Sequence, residues 1–143
     1  SRRHPQAPLR TRAAAAARHP MPADPIDPPD SLRALTRAVD AFAIERDWHQ
    51  FHAPKNIASA LIVEAAELLE PFQWMTEAES RNLSPEQRAA VTEEMADVLL
   101  YLVQLGNVLG IDPVAAAQAK LKRNAVRYPV DKARGNSRKH DKL

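Results

Sequence analysis

The chain has 143 residues, room for one domain, with enough apolar content for a core and only three glycines spread along it. It has no cysteine, which excludes disulfides, thiolate-bound zinc and a thiol nucleophile, and no apolar run approaches the roughly 18–20 residues of a membrane span. The net charge of +2 is uneven: the first 23 residues hold five arginines and no acid, whereas residues 31–143 balance 15 Lys and Arg against 15 Asp and Glu, which weakens any case for a nucleic-acid partner.

Residues 1–30 are rich in proline, arginine and alanine, lack apolar periodicity and read as a disordered tail. Their Arg-rich, acid-poor start leaves room for a mitochondrial-type presequence, with a vector-derived or mis-started leader before Met21 as the other option. The domain is expected over residues 31–128. Ser31 is placed to cap a first helix whose buried stripe is Leu32, Leu35, Val39 and Phe42, ending near Trp48. Arg46 to Asn56 reads as a connection, because Pro54 disfavours helix in the residue before it. A second helix starts around Pro54 to Asn56 and runs through ALIVEAAELLEPFQW, Ala60 to Trp74, with a bend expected after Glu70 because Pro71 removes an amide donor.

Ser84-Pro85-Glu86-Gln87 is a strong start for a third helix: a capping serine, proline at the first position and glutamine three residues after the cap. That helix should bury Val91, Met95, Val98, Leu99, Leu102 and Leu105, with Gly106 and Gly110 weakening its end. Asp112-Pro113 caps a fourth helix to about Asn124, and residues 129–143 read as a basic, extended tail. The fold class is therefore all-α, a four-helix bundle or a packed pair of helical hairpins.

Within this apolar helical pattern the acids stand out. Glu64, Glu67 and Glu70 recur at steps of three, and Glu94 and Asp97 repeat the spacing on the third helix. Residues three apart share a helix face roughly 5–6 Å apart, so each like-charged pair costs a few tenths of a kcal/mol unless a cation intervenes. No Lys or Arg occurs between Lys55 and Arg81, or between Arg88 and Lys120. Packing the two helices antiparallel brings Glu64 and Glu67 opposite Glu94 and Asp97, a cage of hard oxygen ligands suited to Mg²⁺ or Mn²⁺. The plainer reading leaves the acids on a solvated helix face.

Rival chemistries have less support. A di-iron bundle wants Glu-x-x-His, and none of His4, His19, His49, His52 and His140 stands three residues after a helical glutamate. Neither a Ser-His-Asp arrangement nor a Gly-rich phosphate loop has positional support. Trp48, His52, Trp74 and Tyr101 could line a slot that stacks a planar base, although each taken singly is an ordinary core or rim aromatic. Lys120, Asn124 and Arg127 recur on one face of the fourth helix, either as a polar face or as donors to phosphate oxygens.

The segments ERDWHQFHAPKN, ALIVEAAELLEPFQW, EEMADVLLYLVQL and KLKRNAVRYPV together resemble the all-α nucleoside triphosphate pyrophosphohydrolases, the MazG-like family, and most of all its dCTP pyrophosphatase branch. The likeness covers roughly residues 35 to 135, with EAAE and EMAD matching the family's ExxE and ExxD signature. It implies Mg²⁺-dependent hydrolysis between the α- and β-phosphates, giving a nucleoside monophosphate and pyrophosphate. By position, Glu64, Glu67, Glu94 and Asp97 correspond to the metal ligands, and Trp48, His52, Trp74 and Tyr101 to the base pocket. Lys55, Asn56, Lys120, Asn124, Arg127 and Tyr128 correspond to triphosphate or sugar contacts. Glu70 and Glu93, outside the ligand set, are the candidates for the base or a supporting role. A cytoplasmic homodimer or homotetramer is expected, with no nucleic-acid or membrane partner. Pro71 stands where the family usually has an aliphatic residue, which leaves the pose of Trp74 open. The competing expectation is a non-catalytic helical dimerisation or nucleotide-binding module with solvated acids.

Overall fold

The computed structural model describes residues 31–139 and 141, so the expected tail over residues 1–30 lies outside the described residues. Six α-helices and one 3-10 turn occur among them, and no strand. The helices are α1 (Leu32–Glu45), α2 (Pro54–Leu69), α3 (Glu77–Ser80), α4 (Pro85–Leu109), α5 (Pro113–Arg127) and α6 (Val130–Ala133). No single described helix is long and apolar enough to cross a membrane. The chain divides between Gly110 and Ile111 into two compact units.

The first unit holds α1 to α4. Ser31 caps α1 as its position predicts, its hydroxyl accepting from the Ala34 amide at 3.0 Å. The helix stops at Glu45, three residues before the expected Trp48, because Asp47 turns into the left-handed region at φ 52° and ψ 38°. Asp is among the few non-glycine residues that visit this region readily. Gln50 locks the turn, donating to the Asp47 carbonyl at 3.0 Å and to its carboxylate at 3.1 Å. The chain then makes the 3-10 turn Trp48–Phe51 and enters α2 at Pro54.

α2 ends at Leu69, and the segment carrying Pro71 follows as turns, with the Phe72 amide donating to Leu69 O at 2.9 Å. The expected bend is present. A short α3 follows that the apolar pattern did not announce. Its start was written in Thr76-x-x-Glu79, a reciprocal capping box in which Thr76 Oγ1 accepts from the Glu79 amide at 3.1 Å. The Ser84–Gln87 box forms as expected, with bonds of 2.9 and 3.1 Å. α4 continues through Gly106, which is buried, and ends at Gly110 with φ 66°, the left-handed cap that glycine adopts without strain.

The unit is held mainly by α2 on α4, with α1 packed on α4 as well. Among the described residues its buried apolar side chains are Ala43, Ile57, Ala60 and Val103. The expected core face of α4 needs correction. Val91, Val98 and Leu105 are half-buried, but Met95, Leu99 and Leu102 are exposed. The buried residues of α4 are Glu94, Val103, Gln104 and Gly106 instead. The second unit contains α5, capped by Asp112 through amides of Val114 and Ala115 at 2.9 and 3.1 Å, and it runs to Arg127 rather than Asn124. One helical turn, α6, lies within the segment 129–143 that reads as extended from sequence.

Candidate active site

Three acids converge where α2 meets α4. Oxygens of Glu64, Glu94 and Asp97 all lie within 4.8 Å of one another, with Glu64 and Glu94 buried and Asp97 half-buried. Glu67, one turn after Glu64, is buried too, and the Glu64 carboxyl hydrogen-bonds to it. The expected four acids are thus brought together, three as a tight group and the fourth held against Glu64. Burial acts first on Glu64, then the bond to Glu67 and the charges of Glu67, Asp97 and Glu94, and together they push its carboxyl up to about 7. Every charged neighbour named there is an acid.

Asp97 is raised above the usual carboxylate range by burial and then by the charges of Glu93 and Glu67. Burial raises the Tyr101 phenol as well, followed by the charges of Glu64, Asp97 and Glu67. Glu93 therefore acts electrostatically on Asp97, whereas Glu70 is exposed at the end of α2.

Such a cluster is unfavourable without a cation. The Glu64 Oε2 atom is shut off from solvent and has no hydrogen-bond partner among the described residues, although a buried acceptor left unmade costs about 1–3 kcal/mol. Hard carboxylate oxygens from two helix faces, one of them orphaned, fit a divalent ion such as Mg²⁺ or Mn²⁺.

Beside the acids lies a cavity of about 550 Å³, lined by residues of α1, the 3-10 turn, α2 and α4. Asp97 belongs both to the acid group and to the cavity wall. The left-handed turn at Asp47 folds Trp48 back onto α1, where its ring meets Phe42 edge-on, centroids 5.5 Å apart. Arg46 stacks over the other ring of that pair, Phe42, at 3.4 Å. His52 stands 6.2 Å from Trp48, ring to ring. Burial, then the charge of His49, lowers its pKa. His49 itself pairs with Asp40 at 3.0 Å.

Of the sequence-predicted base and phosphate residues, Trp48, His52, Asn56 and Tyr101 line this cavity. Lys55 is exposed at the start of α2 and does not line it. Trp74 is 90% exposed and also lies off the cavity wall, so this chain does not place it with Trp48. Lys120, Asn124 and Arg127 share a face of α5 in the second unit, with Tyr128 capping that helix through its amide to Asn124 O at 2.8 Å. The wall also contains Gln104, absent from the sequence reading. Its signal was there: a lone amide in the apolar run LYLVQLG, seven residues after Asp97 and three after Tyr101.

Helices that lend carboxylates to one buried group, next to an aromatic-walled cavity, define an all-helical protein built around an acid cluster able to hold a metal ion. The pattern of the MazG-like family matches residues 60–143. Over 118 residues the chain is 44% identical to dCTP pyrophosphatase 1 of Homo sapiens, spanning 81% of this chain and 69% of that protein. It is 42% identical to dCTP pyrophosphatase 1 of Rattus norvegicus over the same shares. Among solved structures, a pyrophosphatase from Archaeoglobus fulgidus superposes with a TM-score of 0.64 at 37% identity, covering 68% of this chain and 92% of that one. The chain belongs to the MazG-like family.

Proposed function

We propose that this enzyme is a nucleoside triphosphate pyrophosphohydrolase of the nucleotide pool, with dCTP or a modified dCTP as its leading substrate. It cleaves between the α- and β-phosphates to release the nucleoside monophosphate and pyrophosphate. The observation that carries the reading is Asp97, which joins the acid group to the aromatic cavity, so that a base held in the one leaves its phosphates at the other. The names of the Homo sapiens and Rattus norvegicus relatives support the choice of dCTP.

Glu64, Glu67, Glu94 and Asp97 would hold Mg²⁺, with Mn²⁺ as the alternative ion. When bound, the ion neutralises phosphate charge and orients the attacking water. The four acids must be ionised to bind it, so binding has to offset the burial and mutual repulsion that raise the Glu64 carboxyl to about 7. Metal binding lowers the proton affinity of the ligand carboxylates and makes them poor bases for the attacking water, so Glu93, whose charge acts on Asp97, is our nominee for that role. Trp48, His52 and Tyr101 hold the base, while Lys55, Asn56, Lys120, Asn124, Arg127 and Tyr128 are proposed to contact the triphosphate or sugar. Trp74 completes the base pocket only once a nucleotide or a second copy of the chain covers its exposed ring. The chain is proposed to assemble as a homodimer or homotetramer.

The test is product analysis with each dNTP and Mg²⁺. dCMP and pyrophosphate are expected from dCTP. Release of single phosphates overturns the reading in favour of a phosphatase, and no reaction with any dNTP overturns it in favour of a non-catalytic helical module.

A further inference from the structure

Behind the cavity wall runs a chain of amides whose direction is fixed by one backbone carbonyl. Asn107 donates from Nδ2 to Thr36 O at 3.0 Å, and a carbonyl can only accept. That settles which way the Asn107 amide faces. The same Nδ2 donates to Gln104 Oε1 at 3.1 Å, which settles the Gln104 amide in turn. Gln104 Nε2 then faces His52 Nδ1 at 3.1 Å. Since Nε2 of glutamine only donates, His52 Nδ1 must offer its lone pair. Gln104 is 4% exposed, so water does not readily replace it in this chain.

We propose that Gln104 and Asn107 are positioning residues that lock neutral His52 in the Nε2–H tautomer, giving the base pocket a fixed N–H donor that favours cytosine over thymine or uracil. The selectivity follows from the base edges. The ring N3 of cytosine accepts a hydrogen bond, whereas N3 of thymine and uracil carries a proton. A histidine free to change tautomer could meet either edge; one tied to Thr36 O through two amides cannot. Burial and the neighbouring His49 keep the ring neutral, the state in which a tautomer choice exists. This inference rests on the proposed base pocket, but its first test does not need a nucleotide.

Long-range ¹H–¹⁵N correlation spectra of histidine-labelled, nucleotide-free protein report which ring nitrogen carries the proton. His52 is expected as Nε2–H, and an Nδ1–H ring overturns the proposal outright. Gln104→Glu keeps the shape and still accepts from Asn107, but it presents an acceptor to His52, so Nδ1 should become protonated; an unchanged Nδ1 signal also overturns it. Asn107→Leu releases the Gln104 amide to turn over. With it, the ratio of kcat/KM for dCTP to that for dTTP should fall about tenfold, mostly through KM, with the helical signal retained. An unchanged ratio with a fold still helical removes the specificity role. A wild-type enzyme that ignores dCTP yet shows the expected tautomer counts against the substrate reading and not against the lock.

Discussion

At the scale of single residues, Glu64 concentrates the physics of the site. Its carboxyl is raised from 4.5 to about 7 because burial and three acids oppose its charge. A group whose folded pKa lies above its unfolded one stabilises the fold fully below the unfolded value and loses that contribution as pH rises through the folded one. The metal-free protein is therefore expected to lose melting temperature between about pH 4.5 and 7. Because Mg²⁺ binds the ionised acids, the rise it brings should be larger at pH 8 than at pH 6, reaching about 2.7 kcal/mol at a hundred times Kd. Scanning calorimetry at the two pH values, with and without Mg²⁺, checks both; a metal response that shrinks toward pH 8 counts against the cage. Glu64→Gln carries no proton to lose. The variant should show a smaller pH-dependent loss, with the raised Asp97 retaining its own share, and should also lose at least roughly a hundredfold in turnover, since even outer partners of a bound metal are worth 10–100-fold.

At the scale of helices, sequence and structure agree where a cap or a turn acts through neighbours along the chain. Ser31, the Ser84–Gln87 box, Asp112 and the break after Glu70 were all legible because each is a bond between residues two to four apart. The acid pairs were legible for the same reason: spacing along one helix fixes a face, and the lack of local cations posed the question of a partner. What failed was long-range. The apolar stripe Met95, Leu99 and Leu102 reads as core by periodicity, yet it faces outward in this chain while Glu94 and Gln104 face inward. Periodicity finds a face but cannot say what covers it. Asp47 escaped for another reason, since its left-handed turn is held by the two bonds from Gln50, a pairing that no capping or turn signature announces. At this scale Ser84→Ala should cost about 1 kcal/mol in urea unfolding, because it removes one half of the box that starts α4, while activity at low temperature is retained. A midpoint equal to the wild type's would mean the cap is redundant.

At the scale of the whole molecule, the apolar surface does not fit a chain that works alone. Among the described residues, four small or medium side chains, Ala43, Ile57, Ala60 and Val103, make the buried apolar core. Meanwhile Met95, Leu99, Leu102 and Leu109 form one outward stripe along α4, and Ile62 and Leu69 stand exposed on α2. Soluble monomers rarely present contiguous apolar patches beyond a few hundred Å². A second copy is the simplest cover, since a stripe on one chain meets the same stripe on another across a two-fold axis. Light scattering should then give the mass of a dimer or tetramer at micromolar concentration, and the melting temperature should rise with protein concentration. Replacing Met95 and Leu102 together with lysine places two charges in the exposed stripe while leaving the four acids themselves in place. The double variant should be monomeric and should melt without concentration dependence. Its activity separates two designs: loss of turnover with assembly means that the site draws residues from two chains, Trp74 foremost, and full turnover in the monomer means that one chain suffices. A wild-type chain that scatters as a monomer at these concentrations would remove the assembly, and with it the explanation for the outward stripe.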